Sequence, residues 1–149
     1  MARAAQPPTI LLIDDDPSIR KMIGRQLEHW GYRVVTAAGS EEGLTRARTD
    51  APALILLDIM MPKMRGREAC AALKADPGTR DIPVIFLTAL GLADHIRAGM
   101  ECGAEDYIVK PFHPDDLQER IKVCLLRHGC DWIARTDPPD EVSLRKSCG

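Results

Sequence analysis

Residues 10–20 read ILLIDDDPSIR, an apolar run that ends in three aspartates and a proline. An unbroken apolar run is typical of a parallel strand that helices cover on both faces. Pro17 suits the first turn of a helix, and apolar residues follow it at helical spacing as far as Trp30. The segment therefore predicts a buried strand, an acidic strand end and an amphipathic helix in direct succession.

The same strand and helix unit recurs along the chain. Short apolar runs predict five strands, at 10–13, 33–37, 54–57, 84–87 and 107–109. Helical spacing, caps and glycine stops predict five helices, at 17–30, from Ser40 onward, and at 66–75, 93–102 and 114–127. The hydroxyl of Ser40 is expected to cap the second helix. Alternating strands and helices predict an α/β fold, a doubly wound (βα)5 parallel sheet with helices on both faces.

The composition is that of one globular domain without a strong electrostatic field. In 149 residues, 20 Lys and Arg oppose 22 Asp and Glu, which gives a net charge of −2. Such a balance predicts no direct binding to nucleic acid. No apolar run approaches the roughly 18 residues of a membrane-spanning helix, so we expect no membrane contact and a cytoplasmic location. The five scattered cysteines and four histidines show no metal-site spacing, and reduced, idle thiols are the expectation.

Polar side chains stand at four of the five predicted strand ends. They are Asp14, Asp15 and Asp16 after the first strand, Asp58 after the third, Thr88 after the fourth and Lys110 after the fifth. The carboxyl ends of parallel strands meet at one edge of the sheet, where ligands bind in open α/β folds. Carboxylates that converge there repel one another unless a cation neutralises them. A hard divalent ion with oxygen ligands, Mg²⁺, fits that requirement.

Lys110 and Thr88 extend this site toward phosphate chemistry. A phosphoryl group on one carboxylate would present oxygens to the metal ion, to an ammonium and to a hydroxyl. Lys110 is followed by Pro111, which favours an extended lysine and makes the peptide bond a candidate for the cis form.

Four motifs, in this order, resemble the receiver domain of bacterial response regulators. They are ILLIDDDPSIR (10–20), LLDIMMPKMRG (56–66), IFLTA (85–89) and DYIVKPF (106–112). The resemblance covers about residues 9–127 and all five units. It implies a flavodoxin-like sheet with the strand order 2-1-3-4-5 and a role in a two-component phosphorelay.

Carried over by motif, the resemblance implies a role for each strand-end residue. Asp58 would accept a phosphoryl group from a phosphohistidine. Asp14, Asp15, Asp58 and the backbone carbonyl of Met60 would hold Mg²⁺. Thr88 and Lys110 would contact the phosphoryl oxygens, and Thr88 would act with Tyr107 as the switch that reports phosphorylation. Alternation along the strand turns Asp16 away from this group, so it is expected to carry charge at the helix N-terminus instead.

The resemblance also implies partners. The phosphodonor would be a sensor histidine kinase or a histidine phosphotransfer protein. Signalling would pass through the fourth helix, the fifth strand and the fifth helix to a target protein or to a C-terminal output domain, and a homodimer linked to phosphorylation stays open. The chain would be no enzyme beyond its own phosphorylation and slow dephosphorylation.

We divide the chain into an N-terminal extension (1–8), a receiver domain (9–128) and a tail or linker start (129–149).

Two other interpretations stay open at this point. The strand-end DxD, with a later Thr and Lys, is similar to phosphatases of the haloacid dehalogenase class, in which Asp14 would be the nucleophile and Asp16 the acid and base. That hypothesis leaves Asp58 without a role. The second alternative is a receiver fold that serves only as a binding module and is never phosphorylated.

Overall fold

The computed structural model describes residues 6–59, 66–89, 103–130 and 132, and of residues 88 and 89 it describes the backbone. The strands are β1 (Thr9–Ile13), β2 (Arg33–Ala37), β3 (Leu54–Asp58), β4 (Val84–Ala89) and β5 (Asp106–Lys110). The helices are α1 (Pro17–His29), α2 (Ser40–Asp50), α3 (Gly66–Ala75) and the C-terminal helix (Pro114–Arg127). The helix predicted at 93–102 lies outside the described residues, as does the tail except for residue 132.

The five strands form one parallel sheet in the order β2-β1-β3-β4-β5. This confirms the predicted fold and strand order. β1 lies between β2 and β3, with Leu11 opposite Val35 on one side and Ile55 on the other. Because every pair is parallel, the carboxyl ends of all five strands lie at the same edge of the sheet.

Successive β1 residues point to opposite faces and enter two separate cores. Ile10 and Leu12 pack with residues of α1 and the C-terminal helix on one face. Leu11 and Ile13 pack with residues of α2 and α3 on the other face. These four side chains are fully buried. The unbroken apolar run therefore has the cause expected from the sequence, which is coverage by helices on both faces.

Three strands extend further toward the C-terminus than the apolar runs from which they were predicted. β3 includes Asp58, β4 includes Thr88, and β5 extends to Lys110. The backbone ladder depends on N–H and C=O groups and continues through a polar residue where a neighbouring strand is present. Asp58, Thr88 and Lys110 are therefore strand residues, held by the sheet.

The helix ends use polar caps, one of them different from the prediction. The Asp16 carboxylate accepts a hydrogen bond from the Ser18 N–H at 2.8 Å and caps α1. Ser40 does not occupy the cap position of α2: Gly39 lies there and Ser40 is the first helical residue. The carboxylate of Glu42 instead reaches back to accept from the Ala38 N–H at 3.0 Å. A glutamate three residues into a helix can satisfy such an N-terminal donor, which explains the shift by one residue.

Trp132 is the one described residue of the tail beyond residue 130. Its ring centroid lies 5.0 Å from that of Tyr32, with the two planes tilted by 51°. Both rings belong to the core beneath α1 and the C-terminal helix, and burial raises the pKa of Tyr32. The indole therefore docks on the domain, while the domain boundary at residue 128 stays a prediction.

No helix within the described residues is both long enough and apolar enough to cross a membrane.

The approach of α3 to β3 depends on Gly66. A Cβ atom at this position would lie 2.4 Å from the Asp58 carbonyl oxygen and 2.6 Å from the Ile59 Cα, both of them backbone atoms. We expect Gly66→Ala to lower the free energy of unfolding by about 1–3 kcal/mol, because backbone cannot move aside as a side chain can. Gly24→Ala is the matched control, since its Cβ would meet only Val34 Cγ1 at 3.9 Å and alanine favours the helix. Urea denaturation measures both variants, and equal stability of the two would contradict the packing described here.

Candidate functional site

Asp58 is the last residue of β3 and is only 6% exposed. It lies opposite Leu87 in the ladder with β4. The next residue, Ile59, donates its N–H to the Leu87 carbonyl at 3.0 Å and accepts from the Gly66 N–H at 2.8 Å. The backbone on the C-terminal side of Asp58 is thus hydrogen-bonded to both β4 and α3, which fixes the position of the carboxylate.

Asp14 follows β1 directly and is 1% exposed. Its N–H donates to the Ala37 carbonyl at 3.2 Å, and one carboxylate oxygen accepts from the Asp16 N–H at 3.0 Å. Its own carbonyl accepts from the Arg20 guanidinium at 2.8 Å. The buried carboxylate is therefore held from its backbone and from its side chain. Asp15, the next residue, is exposed.

The three acidic side chains come together. One carboxylate oxygen each from Asp14, Asp15 and Asp58 lie within 4.8 Å of one another. Lys110 Nζ lies 3.2 Å from Asp14 Oδ2 and 3.7 Å from Asp58 Oδ1. One ammonium cannot balance three carboxylates, so this group of four side chains carries excess negative charge. That excess, together with an all-oxygen donor set, fits a hard divalent cation such as Mg²⁺.

Lys110 reaches the acids because it is the last residue of β5, where it lies opposite Ala89 of β4. The peptide bond between Lys110 and Pro111 is cis, the geometry for which the sequence made it a candidate. The Lys110 side chain is 24% exposed, so its ammonium is partly shielded from water beside the buried Asp14.

The remaining predicted residues are only partly described. Thr88 lies in β4 opposite Val109, at the same sheet edge, but its side chain is outside the described atoms. Met60 lies outside the described residues altogether. Tyr107 is half-buried in β5 and packs against the core beneath α2 and α3. The switch role of Thr88 and Tyr107 therefore stays a prediction.

Asp16 does not belong to the acidic group. Its carboxylate caps α1 by accepting from the Ser18 N–H, as alternation along the strand had predicted. A phosphatase of the haloacid dehalogenase class would require Asp16 to act beside Asp14 as acid and base. The acid that joins Asp14 and Asp15 is Asp58, the residue for which that hypothesis has no role.

Sequence reasoning assigned no site role to Arg20. In the structure its guanidinium donates a hydrogen bond to the backbone carbonyl of Asp14, one of the three clustered acids. Arg20 lies six residues after Asp14, one helical turn into α1, and that spacing is the only signal in the sequence.

Comparison with known proteins agrees with this geometry. The sequence profile of the response regulator receiver domain matches residues 10–122. Over 119 residues the chain is 49% identical to a protein of Cyanophora paradoxa named as a probable transcriptional regulator, ycf27, covering 79% of this chain and 48% of that protein. The chain spans about half the length of the curated relatives that it matches.

Two solved structures have the same architecture. The Vibrio cholerae chemotaxis protein CheY4 aligns with a TM-score of 0.75 and 31% identity, covering 79% of this chain and 98% of that one. The receiver domain of the sensor histidine kinase PA1611 from Pseudomonas aeruginosa, solved with a magnesium ion in its active-site cleft, aligns with a TM-score of 0.75 and 29% identity, covering 80% and 98%. With its fold, acidic strand ends and sequence in agreement, the chain belongs to the response regulator receiver domains of two-component signalling.

Proposed function

We propose that Asp58 of this chain accepts a phosphoryl group from a phosphohistidine, on a sensor histidine kinase or a histidine phosphotransfer protein. One observation carries the proposal. A buried carboxylate at the end of β3 lies 3.7 Å from an ammonium and within 4.8 Å of two further carboxylates. A nucleophile, a cation for the transferred group and a cluster of oxygen ligands for a metal ion therefore stand in one pocket.

Asp14, Asp15 and Asp58 are the residues that would hold Mg²⁺, with the Met60 carbonyl as the further ligand that the family motif implies. The bound ion would neutralise carboxylate charge and offset the charge of the phosphoryl oxygens. The convergence of three carboxylates on one ammonium supports this assignment, because such a set is repulsive by itself. The similar receiver domain of PA1611 coordinates a magnesium ion in its own active-site cleft, which also supports it.

The transfer itself needs little covalent chemistry from the protein. A carboxylate oxygen of Asp58 attacks phosphorus, the bond from phosphorus to the donor imidazole nitrogen breaks, and its electron pair leaves with the imidazole. Lys110 offsets the negative charge on the oxygens of the transferred group. Positioning and electrostatic stabilisation of this kind supply most of the catalysis in phosphoryl transfer.

Thr88 and Tyr107 would report the event. In the proposed switch the Thr88 hydroxyl contacts a phosphoryl oxygen and the ring of Tyr107, on the neighbouring strand, follows its displacement. The signal would leave through the predicted helix at 93–102, β5 and the C-terminal helix. Because the curated relatives are about twice as long and are named as transcriptional regulators, an output domain after residue 129 is the favoured recipient, with a separate target protein as the alternative.

On this proposal the chain catalyses only its own phosphorylation and the slow loss of the phosphoryl group, in the cytoplasm, and makes no direct contact with nucleic acid. A homodimer linked to phosphorylation is compatible with it.

Incubation with a small phosphodonor and Mg²⁺ tests the acceptor. We expect one phosphoryl group per chain by intact mass, mapped to Asp58, and no mass gain in Asp58→Asn or when a chelator removes Mg²⁺. Asp16→Asn is the matched control, because asparagine caps a helix as well as aspartate does and labelling should be normal. Labelling of Asp14, or label retained in Asp58→Asn, would refute the assignment.

Lys110→Met tests the role of the ammonium. It keeps an unbranched side chain of similar length and removes the positive charge that lies near Asp14 and Asp58. We expect phosphorylation by the small phosphodonor to slow by roughly 10²–10³-fold, the usual effect of losing one stabilising group. Lys21→Met, on the exposed surface of α1, should leave the rate unchanged. A Lys110→Met rate within a factor of two of the wild type would exclude a part for this lysine in the transfer.

A further inference from the structure

A second group of metal-binding side chains lies away from the proposed phosphorylation site. Glu105 immediately precedes β5, and Cys124 and His128 lie at the end of the C-terminal helix. One ligand atom from each of these side chains lies within 4.8 Å of the other two. Glu105 precedes β5 and Lys110 is its last residue. This group therefore lies at the N-terminal end of the strand, and the acidic pocket lies at the C-terminal end.

The donor set differs in kind from the three aspartates. It combines a thiol, an imidazole and a carboxylate, which are the ligand types of zinc sites and include the soft sulfur that Mg²⁺ avoids. Cys124 and His128 are four residues apart, the spacing that puts two side chains on one face of a helix. At the sequence level this pair carried no metal signal, because the third donor comes from a segment 19 residues earlier.

One of the distances in this group is close to that between neighbouring ligands of a tetrahedral site, and a second is shorter. Cys124 Sγ lies 3.9 Å from Glu105 Oε2, and His128 Nε2 contacts Glu105 Oε1 within hydrogen-bonding distance. Bonds of about 2.0–2.3 Å to zinc put neighbouring tetrahedral ligands about 3.3–3.7 Å apart. To place the three donors around one ion, His128 and Glu105 would exchange their direct contact for contacts with that ion.

The backbone holds the three donors in place. The Glu105 N–H donates to the Val84 carbonyl at 2.8 Å, and the His128 N–H donates to the Leu125 carbonyl at 3.1 Å. Cys124 is 2% exposed and lies in the core beneath α1 and the C-terminal helix. By contrast, the His128 side chain is 36% exposed, which leaves one side of the group open to solvent.

One positive side chain also faces this group. Arg127 Nη1 lies 3.6 Å from Glu105 Oε2, and the Arg127 side chain is 61% exposed. Without a metal ion, Glu105 can serve as the anchor of an ion-pair cluster with Arg127 and His128. In that state the Cys124 thiol donates a weak hydrogen bond to the same carboxylate, and the exposed guanidinium can move into solvent when the carboxylate binds an ion.

We propose that Glu105, Cys124 and His128 form a second metal site that takes Zn²⁺, with the fourth coordination position open to water. The bound ion would tie the end of the C-terminal helix to the start of β5. It lies next to the point where the chain continues into the segment after residue 128, so it would stiffen the exit of that segment from the domain. This site does not depend on phosphorylation of Asp58.

Cobalt is the spectroscopic probe for the test, since Co²⁺ occupies zinc sites and gives a thiolate charge-transfer band in the near ultraviolet when cysteine is a ligand. The full chain, stripped of metal and then saturated with Mg²⁺ to fill the acidic pocket, is titrated with Co²⁺ and the ion is displaced with Zn²⁺. We expect one Co²⁺ per chain, a thiolate band that Zn²⁺ abolishes, and a rise of a few degrees in Tm with Zn²⁺.

The variants separate the site from other thiols. Cys124→Ser should abolish the charge-transfer band, and Glu105→Gln and His128→Gln should each weaken Zn²⁺ binding by roughly 10–100-fold, while Cys130→Ser serves as the matched control with unchanged binding. Glu105→Gln and His128→Gln keep the test decisive if Cys124→Ser unfolds. A thiolate band that survives Cys124→Ser, or Zn²⁺ affinity unchanged in both Glu105→Gln and His128→Gln, would overturn the proposal.

A cross-experiment separates this site from the acceptor. Asp58→Asn should bind Zn²⁺ normally while it loses phosphorylation, and His128→Gln should be phosphorylated normally while it loses Zn²⁺. Loss of Zn²⁺ binding in Asp58→Asn would assign the ion to the acidic pocket and refute the second site.

Discussion

Two buried carboxylates share one ammonium, and the organisation of the molecule depends on that contact. Asp14 directly follows β1, Asp58 ends the neighbouring strand β3, and Lys110 reaches both of them from the edge strand β5. Removing a carboxylate from water is costly unless it is paired and hydrogen-bonded. The hydrogen bonds to Asp14 and the salt bridges from Lys110 meet that requirement in part, and the excess negative charge that remains fits a divalent cation.

The parallel sheet makes this contact possible and also separates the acidic group from the group of Glu105, Cys124 and His128. The carboxyl ends of the strands lie on one side of the sheet, where the carboxylate oxygens lie close to Lys110. At the other edge the chain enters β5 through Glu105, beside the end of the C-terminal helix. The two ends of the sheet therefore carry different ligand types. The C-terminal ends of the strands carry oxygen donors, and the N-terminal end of β5 carries a mixed set of sulfur, nitrogen and oxygen donors.

Much of the fold was predictable because its signals are local. The apolar runs, Pro17 at the start of α1 and the positive φ of 98° at Gly31 all follow from residues adjacent in the chain. The cap of α2 was predicted wrongly because Ser40 and Gly39 compete for one position, and the choice depends on where Glu42 can reach. The strand order came from a family resemblance, since local periodicity does not tell which strands are neighbours.

The acidic site was predictable because parallel strands bring their ends together whatever their order. Two other contacts were not predictable from the sequence. Arg20 binds the Asp14 carbonyl, and Glu105 lies beside Cys124 and His128. Each contact joins a helix residue to a residue outside that helix, and only tertiary packing brings the two together. Sequence alone thus determined the α/β architecture, the candidate acids and the lysine opposite them, through period, composition and spacing. Folding in three dimensions decided which carboxylates Lys110 touches, which acid caps a helix and which donors meet at the far edge, because those distances arise between segments remote in the chain.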